Sequence, residues 1–422
     1  MDKLVVHGGS VIKGSINISG SKNASLPILA ATILTGEDCI IRRVPDVSDT
    51  NYMIQILSAL GADVERSSGT VRISCADISD EAPYELVRRM RASICVMGPL
   101  LARKGRAVVS LPGGCVIGDR PVDLHLKGMQ ALGAKIEFEG GNIILTAPDG
   151  LRGAEINLRG ESGPTVLGTD NVMMAATLAE GITVIESAAA EPEVLDLANF
   201  LNGMGAKITG AGTRRIVIEG VKELKGVEHT VIPDRIEAGT FMAAAALAGE
   251  GVRLNRVNRD HLKAITEAII KSGHKVEFND DGTSCFVERG EVLQGVDLNT
   301  APFPGYPTDM QAQMTALLVT TPGISVVKDS IFPQRFMHCA ELKRMGADIK
   351  MDQGTAIVRG VEKLSAAPVM ASDLRASAAL VLAALRAKGT TEISRLYHID
   401  RGYEHIDEKL LMLGADVERV RV

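Results

Sequence analysis

Two kinds of helical segment alternate along the chain. The first kind is amphipathic and ends at a glycine, after which apolar and polar residues alternate, as in ILSALGADVERSSGTVRIS from Ile56 onward. A glycine just past a helix accepts the left-handed backbone that closes the last turn. Strict alternation is typical of a strand with one buried face. Each such segment therefore predicts a helix, a strand, a turn and a second strand.

The glycines that end these amphipathic segments are almost evenly spaced. Successive intervals are 72, 72, 68, 73 and 68 residues, for Gly61, Gly133, Gly205, Gly273, Gly346 and Gly414. A recurring phrase at a nearly constant period is the signature of a repeated supersecondary unit. The pattern predicts six copies of one unit.

The second kind of helical segment is apolar on all sides and begins with polar residues. The six stretches are SKNASLPILAATILTG, RASICVMGPLLARKG, TDNVMMAATLAEG, DRIEAGTFMAAAALAGEG, TDMQAQMTALLVTTPG and DLRASAALVLAALRAKG. A helix without a polar face must be buried, and a helix N-terminus attracts anions. Two interpretations of the polar starts stay open. They are ordinary helix caps, or they face one anion-binding cleft.

Several of these helix starts carry a cation. Lys22, Arg91, Arg235 and Arg375 hold such positions, where the positive end of the helix dipole repels them. A residue that breaks a local rule is a candidate for function. A bound anion would compensate the repulsion.

Composition narrows the class of protein. Of 422 residues, 45% are apolar and 23% charged, which is typical of a folded globular chain of about two domains. The net charge of −6 and an aromatic content of 3% argue against a nucleic-acid partner. Neither a membrane-spanning run nor a signal-peptide pattern is found. We therefore expect a cytoplasmic protein with no membrane partner.

The cysteines indicate free thiols, because their spacing shows no pairs. Neither a metal-ligand spacing nor a nucleotide-binding glycine motif occurs, so we expect no metal and no cofactor. Cys115 differs from the others, since Gly113 and Gly114 precede it and Arg120 would favour its reactive thiolate form. The remaining cysteines are expected to be buried and structural: Cys39, Cys75, Cys95, Cys285 and Cys339.

Taken together, the motifs resemble those of bacterial UDP-N-acetylglucosamine 1-carboxyvinyltransferases over essentially the whole chain. The matching segments are GSKNASLPIL, RRMRAS, LPGGCVIGDRPVDLH, PDRIEAGTF, YPTDMQAQ, DLRASAALVLAAL and HIDRGYEHIDEKL. The resemblance implies an α/β fold of two inside-out α/β barrels, each of three βαβαββ repeats with buried apolar helices and outer sheets. It implies that residues 22–232 form a domain inserted between residues 1–21 and 233–422, with the active site in the cleft between the domains.

The same resemblance implies a reaction. Enolpyruvate would pass from phosphoenolpyruvate to the 3′-hydroxyl of UDP-N-acetylglucosamine, by addition and elimination through a tetrahedral intermediate, with release of phosphate. This step begins peptidoglycan synthesis, and so serves cell-wall biogenesis, cell shape and cell division. The two small-molecule substrates are the partners that we expect. A monomer and sensitivity to fosfomycin, which alkylates the loop cysteine, are also implied.

Site residues follow from the resemblance position by position. Cys115 would act as general acid and Asp309 as base, while Lys22, Arg120 and Arg401 would bind phosphoenolpyruvate with Arg335 and Arg375 nearby. The sugar nucleotide would contact Asn23, Arg91, Arg120, Pro121, Val122, Asp123, Leu124, Asp309 and Ile331. Its diphosphate would contact Ser162, Gly163, Thr165 and Val166, although ESGPTVLGTDN departs from the SVGAT pattern of the family. Pro333 is a second departure.

Alternatives remain for individual residues and for the function. Asp309 has a helix-capping interpretation, His125 one as a hydrogen-bonded core residue, and Glu191 and Asp373 one as structural ion-pair partners. The sister family that acts on shikimate 3-phosphate shares the six-unit architecture, but it opens its first helix with SKS and lacks the cysteine loop. A non-catalytic, regulatory paralogue that binds the sugar nucleotide is the remaining alternative.

Overall fold

The structure, a computed structural model, describes residues 2–111, 122–161 and 163–421. These residues form two compact units. The inserted unit is the described part of residues 20–232, and the discontinuous unit is formed by residues 2–19 and 233–421. Cys115, Arg120, Pro121 and Ser162, all predicted site residues, lie outside the described residues.

The helices are short. In the inserted unit they are α1 (Lys22–Ala31), α2 (Ser48–Leu60), α3 (Tyr84–Val87), α4 (Met97–Lys104), α5 (Asp123–Ala131), α6 (Val166–Ala176) and α7 (Pro192–Gly203). In the discontinuous unit they are α8 (Arg235–Ala248), α9 (Lys263–Lys271), α10 (Gln311–Leu318), α11 (Met337–Arg344), α12 (Leu374–Arg386) and α13 (Ile406–Met412). The 3-10 helices span Thr32–Leu34, Arg91–Val96, Arg259–Leu262, Thr308–Met310 and Leu396–Arg401. None of the helices in the described residues has the length and hydropathy needed to cross a membrane.

The strands are mostly of five residues or fewer. The discontinuous unit opens with β1 (Lys3–His7) and β2 (Ile12–Asn17). The inserted unit contains β3 (Cys39–Arg42), β4 (Asp63–Ser67), β5 (Thr70–Ser74), β6 (Arg106–Ser110), β7 (Lys135–Glu139), β8 (Asn142–Thr146), β9 (Glu155–Asn157), β10 (Arg159–Gly160), β11 (Gly163–Pro164), β12 (Ile182–Glu186), β13 (Lys207–Thr209), β14 (Arg215–Glu219) and β15 (Glu228–Thr230). The discontinuous unit continues with β16 (Gly249–Asn255), β17 (Lys275–Phe278), β18 (Ser284–Glu288), β19 (Leu298–Asn299), β20 (Ile324–Lys328), β21 (Asp348–Asp352), β22 (Thr355–Arg359), β23 (Val369–Met370), β24 (Thr390–Ser394) and β25 (Asp416–Val420).

One sheet topology recurs in both units. The strand orders are β15-β3-β5-β4, β6-β8-β7 and β13-β14-β12-β9 in the inserted unit, and β17-β18-β16-β2, β19-β20-β22-β21 and β23-β24-β1-β25 in the discontinuous unit. Each four-stranded sheet has one parallel pair at an edge and two antiparallel pairs. In the three-stranded sheet, Glu81 forms a parallel bridge to Val108 at the position of the fourth strand. The six predicted repeats are therefore present.

Three sheets are completed by distant parts of the sequence. In the discontinuous unit, β2 pairs in parallel with β16. In the inserted unit, β15 pairs in parallel with β3. In the discontinuous unit, β1 lies between β24 and β25, with Lys3 opposite Val420. In the other repeats, two strands follow the amphipathic helix. In the last repeat only β25 follows α13, and β1, from the start of the chain, takes the place of the second strand.

Apolar helices form the centre of each unit. Helices α1, α4 and α6 contribute to the core of the inserted unit, and α8, α10 and α12 to the core of the discontinuous unit. In α8 every residue after Arg235 is buried, as expected for a helix with no polar face. The sheets lie outside these helices, and buried residues alternate with exposed or half-buried ones along strands such as β14 and β25. The predicted fold class is confirmed.

The repeat glycines have the predicted backbone conformation. All six, from Gly61 to Gly414, have positive φ angles between 88° and 109°. At Gly133 an added Cβ would meet nothing within 4 Å. At this position, therefore, glycine is favoured by its backbone conformation rather than by crowding.

The start of α6 differs from the predicted one. The sequence pattern places Thr169, Asp170 and Asn171 at a polar helix start, but α6 begins at Val166, so these residues are buried within the helix. The hydroxyl of Thr165 accepts the bond from Gly168 N at 3.2 Å and caps the helix. Similarly, RASICVMGPLLARKG divides into a 3-10 helix and α4 instead of forming one helix.

Candidate active site

Side-chain caps occupy four of the six apolar helix starts. Ser21 caps α1, Thr165 caps α6, Asp234 caps α8 and Asp373 caps α12, each by accepting bonds from backbone N–H groups one turn ahead. The Asp373 carboxylate accepts bonds from Arg375 N at 2.9 Å and Ala376 N at 3.1 Å. The capping interpretation therefore accounts for the four residues that cap these helices.

Asp309 does not cap a helix. It lies in the 3-10 helix Thr308–Met310, directly before α10, and its two carboxylate oxygens bind two different arginines. Arg335 Nη1 donates to Asp309 Oδ1 at 2.7 Å, and Arg375 Nη2 donates to Asp309 Oδ2 at 3.0 Å. The arginine side chains are 7% and 2% exposed, whereas the carboxylate is 27% exposed. The structure thus brings together one acid and two cations from the last two repeats.

A buried polar network supports Arg375. Its guanidinium lies 5.3 Å from the centre of the Tyr403 ring, and the Tyr403 hydroxyl contacts Thr240 Oγ1 at 2.8 Å. Gln313 Nε2 donates to Tyr403 Oη and Thr240 Oγ1, each at 3.1 Å, and to Asp309 O at 2.8 Å. Burial raises the pKa of Tyr403, so its hydroxyl stays protonated and can donate.

Electrostatics keep Arg375 charged although it is buried. Burial alone lowers its pKa, but attraction to Asp309, Tyr403 and Asp234 outweighs burial and raises the pKa. Arg335 packs in a different way, with its guanidinium 5.9 Å from the centre of the Phe332 ring. Both cations are therefore held by side chains of the same unit.

Asp329 connects the segments that carry Asp309 and Arg335. It is 1% exposed, and its Oδ1 accepts bonds from Thr300 Oγ1 at 2.7 Å, Ile331 N at 2.9 Å and Phe332 N at 2.8 Å. Its Oδ2 accepts a bond from the Thr308 hydroxyl at 2.7 Å. The predicted ligand Ile331 therefore lies in a loop that Asp329 ties to the residue before Asp309.

In the inserted unit, Lys22 has a counter-ion. It is the first residue of α1, and its Nζ lies 3.3 Å from Asp49 Oδ2 at the start of α2. The lysine side chain is 12% exposed and the aspartate 4%. Within the chain, Asp49 therefore supplies a negative charge that compensates the repulsion between Lys22 and the start of α1. Asn23 follows in α1, and Arg91 begins the 3-10 helix before α4.

The start of α5 lies beside the β10–β11 pair. Val122 precedes α5, and Asp123 and Leu124 are its first residues. A Cβ added at Gly160 would lie 3.1 Å from Leu124 Cδ1 and 3.3 Å from Gly163 O. The structure therefore places two predicted nucleotide contacts, Leu124 and Gly163, around the same glycine. Thr165 and Val166 follow as the cap and first residue of α6.

Arg401 ends the 3-10 helix Leu396–Arg401, two residues before Tyr403.

In the inserted unit, His125 is 4% exposed and its Nδ1 contacts Asn171 Nδ2 at 2.9 Å. The hydrogen-bonded core interpretation of His125 is thereby confirmed. Glu191 precedes α7 and is 9% exposed.

The five cysteines other than Cys115 are buried, as predicted. Burial is the main cause that raises the thiol pKa to about 11 for Cys39 and to about 12 for Cys285 and Cys339. It also raises the pKa of Cys75 and Cys95. These thiols are therefore unreactive at neutral pH. Among the described residues, no group of three or more His, Cys, Asp or Glu side chains is arranged to hold a metal ion.

Five residues that support the predicted site residues were not themselves predicted: Asp329, Tyr403, Thr240, Gln313 and Asp49. A partial signal was available for three of them, since Thr240 lies in PDRIEAGTF, Gln313 in YPTDMQAQ and Tyr403 in HIDRGYEHIDEKL. Asp329 and Asp49 lie outside every quoted motif. Their role becomes evident only in the folded structure, where Asp49 lies beside Lys22 and Asp329 accepts a bond from Thr308.

Comparison with known proteins defines the class. Residues 6–410 match the family model of EPSP synthase (3-phosphoshikimate 1-carboxyvinyltransferase). The enolpyruvyl transferase NikO from Streptomyces tendae superposes with a TM-score of 0.90 at 25% identity, covering 100% of this chain and 99% of that one. EPSP synthase from Acinetobacter baumannii superposes with a TM-score of 0.77 at 19% identity, covering 100% of both chains, and shares the fold. The class is that of the enolpyruvyl transferases.

Closer relatives narrow the class. A UDP-N-acetylglucosamine 1-carboxyvinyltransferase of Akkermansia muciniphila is 69% identical over 100% of this chain and 99% of its own length. UDP-N-acetylglucosamine 1-carboxyvinyltransferase 2 of Carboxydothermus hydrogenoformans is 54% identical over 100% of both chains. The chain belongs to the UDP-N-acetylglucosamine 1-carboxyvinyltransferases, within the EPSP synthase family.

Proposed function

We propose that this enzyme transfers the enolpyruvyl group of phosphoenolpyruvate to the 3′-hydroxyl of UDP-N-acetylglucosamine and releases phosphate. The names of its relatives support this reaction, and the observation that carries it is the cluster of Asp309, Arg335 and Arg375. Adding a hydroxyl to the enolpyruvyl double bond needs a base at the hydroxyl and cations for the anionic substrate. The cluster contains both.

The remaining residues are assigned within this reaction as follows. Asp309 accepts the hydroxyl proton, and Cys115 protonates the methylene carbon, so that a tetrahedral intermediate forms before phosphate leaves. Lys22, Arg120 and Arg401 bind phosphoenolpyruvate, and Arg335 and Arg375 act beside them. The sugar nucleotide contacts Asn23, Arg91, Arg120, Pro121, Val122, Asp123, Leu124, Asp309 and Ile331, and its diphosphate contacts Ser162, Gly163, Thr165 and Val166. We propose that the enzyme acts as a monomer in the cytoplasm.

Shikimate 3-phosphate is the acceptor to be tested against the sugar nucleotide. The matching family model is named for the enzyme that uses it, and a structural neighbour is an EPSP synthase. Relatives above half identity favour UDP-N-acetylglucosamine instead.

The test is phosphate release from phosphoenolpyruvate with each acceptor, before and after incubation with fosfomycin. We expect release with UDP-N-acetylglucosamine alone, abolished by fosfomycin. Because the other cysteines are buried with raised thiol pKa values, mass spectrometry should find one adduct, on Cys115. Folded protein that binds the sugar nucleotide but releases no phosphate with either acceptor would indicate the regulatory paralogue.

A further inference from the structure

Asp309 occupies a position suited to an anion from outside the chain. Each of its carboxylate oxygens accepts a bond from a different guanidinium, at 2.7 Å from Arg335 and 3.0 Å from Arg375. Guanidinium groups match carboxylate and phosphate oxygens equally well. The side chain of Asp309 is also the most exposed member of the cluster. An arriving anion would therefore meet Asp309 first and compete with it.

The guanidiniums retain unused donors. In the part of the chain that the structure describes, Arg335 Nε and Arg375 Nε are buried and have no hydrogen-bond partner. A buried N–H group without a partner is unfavourable. The two side chains thus have more donors than Asp309 can satisfy, which a phosphate with additional oxygens would remedy.

Asp309 is itself limited by this arrangement. Each of its oxygens is engaged by a cation, so a hydroxyl that is to lose its proton must compete with an arginine for the oxygen that receives it. Arg335 has a second contact, to Thr308 Oγ1 at 3.3 Å, and Arg375 has the Tyr403 ring. Both cations can therefore stay in place when Asp309 withdraws.

We propose that Asp309 serves as an internal counter-ion on Arg335 and Arg375 until the substrate anion displaces it. This exchange frees a carboxylate oxygen to act as the base, so anion binding activates the proton acceptor. The hydroxyl proton moves to the freed Asp309 oxygen, and the electron pair left on the hydroxyl oxygen forms the bond to the central enolpyruvyl carbon. The electron pair of the double bond takes up a proton at the methylene carbon from the general acid. This inference rests on the proposed function.

The test compares the binding of inorganic phosphate to the wild-type chain and to Asp309→Asn by titration calorimetry. Removing the internal competitor should tighten phosphate binding about tenfold or more, within the usual range for coupled ligands, although turnover is lost. The matched control is Asp352→Asn, which removes the same charge from an exposed position in the same unit. It should change phosphate affinity by less than about twofold, because exposed distant charges are screened.

Equal or weaker phosphate binding by folded Asp309→Asn overturns the exchange. If the variant is poorly folded because two buried cations lack a counter-ion, added phosphate should restore its folding by supplying one. Failure of saturating phosphate to do so also overturns the proposal. Wild-type turnover without tighter phosphate binding in the variant refutes only the exchange, whereas no wild-type turnover refutes the proposed function.

Discussion

Replacing Asp329 by alanine should destabilise the discontinuous unit strongly, although Asp329 is not a predicted ligand of either substrate. The substitution removes four hydrogen bonds, from Thr300, Thr308, Ile331 N and Phe332 N. At about 1 kcal/mol for each bond, the loss is about 4 kcal/mol. A typical domain is stable by about 5–15 kcal/mol, so this loss is a large part of the total.

The substitution Asp329→Asn removes the negative charge of the side chain but keeps its shape, so it tests the charge apart from the hydrogen-bond geometry. The amide oxygen can replace Oδ1, which accepts three of the four bonds, and the amide NH₂ can donate to the Thr308 hydroxyl. We therefore expect a loss of only about 1 kcal/mol. Activity should fall in both variants, and further in the alanine variant, because the loop connects Asp309 with Arg335, and a misplacement of about 1 Å can reduce a rate about 100-fold.

The assay is equilibrium urea unfolding followed by far-ultraviolet circular dichroism, with initial rates of phosphate release measured in parallel. Asp352→Asn is the control for the loss of one charge, because Asp352 is exposed at the end of β21. An alanine variant within about 1 kcal/mol of the wild type would refute the assignment of Asp329 as the anchor of this loop.

Two further changes test the backbone at Gly133 and the buried side chain of His338. Gly133→Ala should cost about 1–2 kcal/mol in urea unfolding, because φ is 98° there while no atom lies within 4 Å of the new Cβ; an unchanged midpoint would contradict this. Burial lowers the pKa of His338 from 6.5 to about 4, so its contribution to stability is present above pH 6.5 and is lost as the pH falls towards 4. His338→Gln should flatten the dependence of unfolding free energy on pH in this window, and an unchanged slope would exclude His338 as a cause.

Local signals account for the parts of the fold that could be predicted. A glycine after an amphipathic helix and an alternating run both act within a few residues, so the six helix–strand units are visible in the sequence. The partner of a strand depends on the whole fold, which is why the insertion of β1 between β24 and β25 could not be predicted. The buried start of α6 was missed for a related reason. Asn171 bonds to Gly98 N and Ile94 O, partners far away in sequence.

The candidate site also has a part that could be predicted from the sequence and a part that could not. Charged residues at helix starts and the motifs around them pointed to Lys22, Asp309 and Arg375. The pairing of Arg335 with Asp309 joins positions 26 residues apart, and only the folded chain reveals it. Asp49, which balances Lys22, had no local sign of its role because an aspartate in the first turn of a helix is common.

The position of β1 also affects the order in which the chain can fold during synthesis. Every strand of the inserted unit lies within one continuous stretch, so this unit can close as soon as β15 has left the ribosome. Residues 3–7 instead need β25, which is made after all the other strands of the discontinuous unit, before the final sheet of that unit is complete. Until then the edges of that sheet remain unpaired, and unpaired strand edges are what promote aggregation in nascent chains.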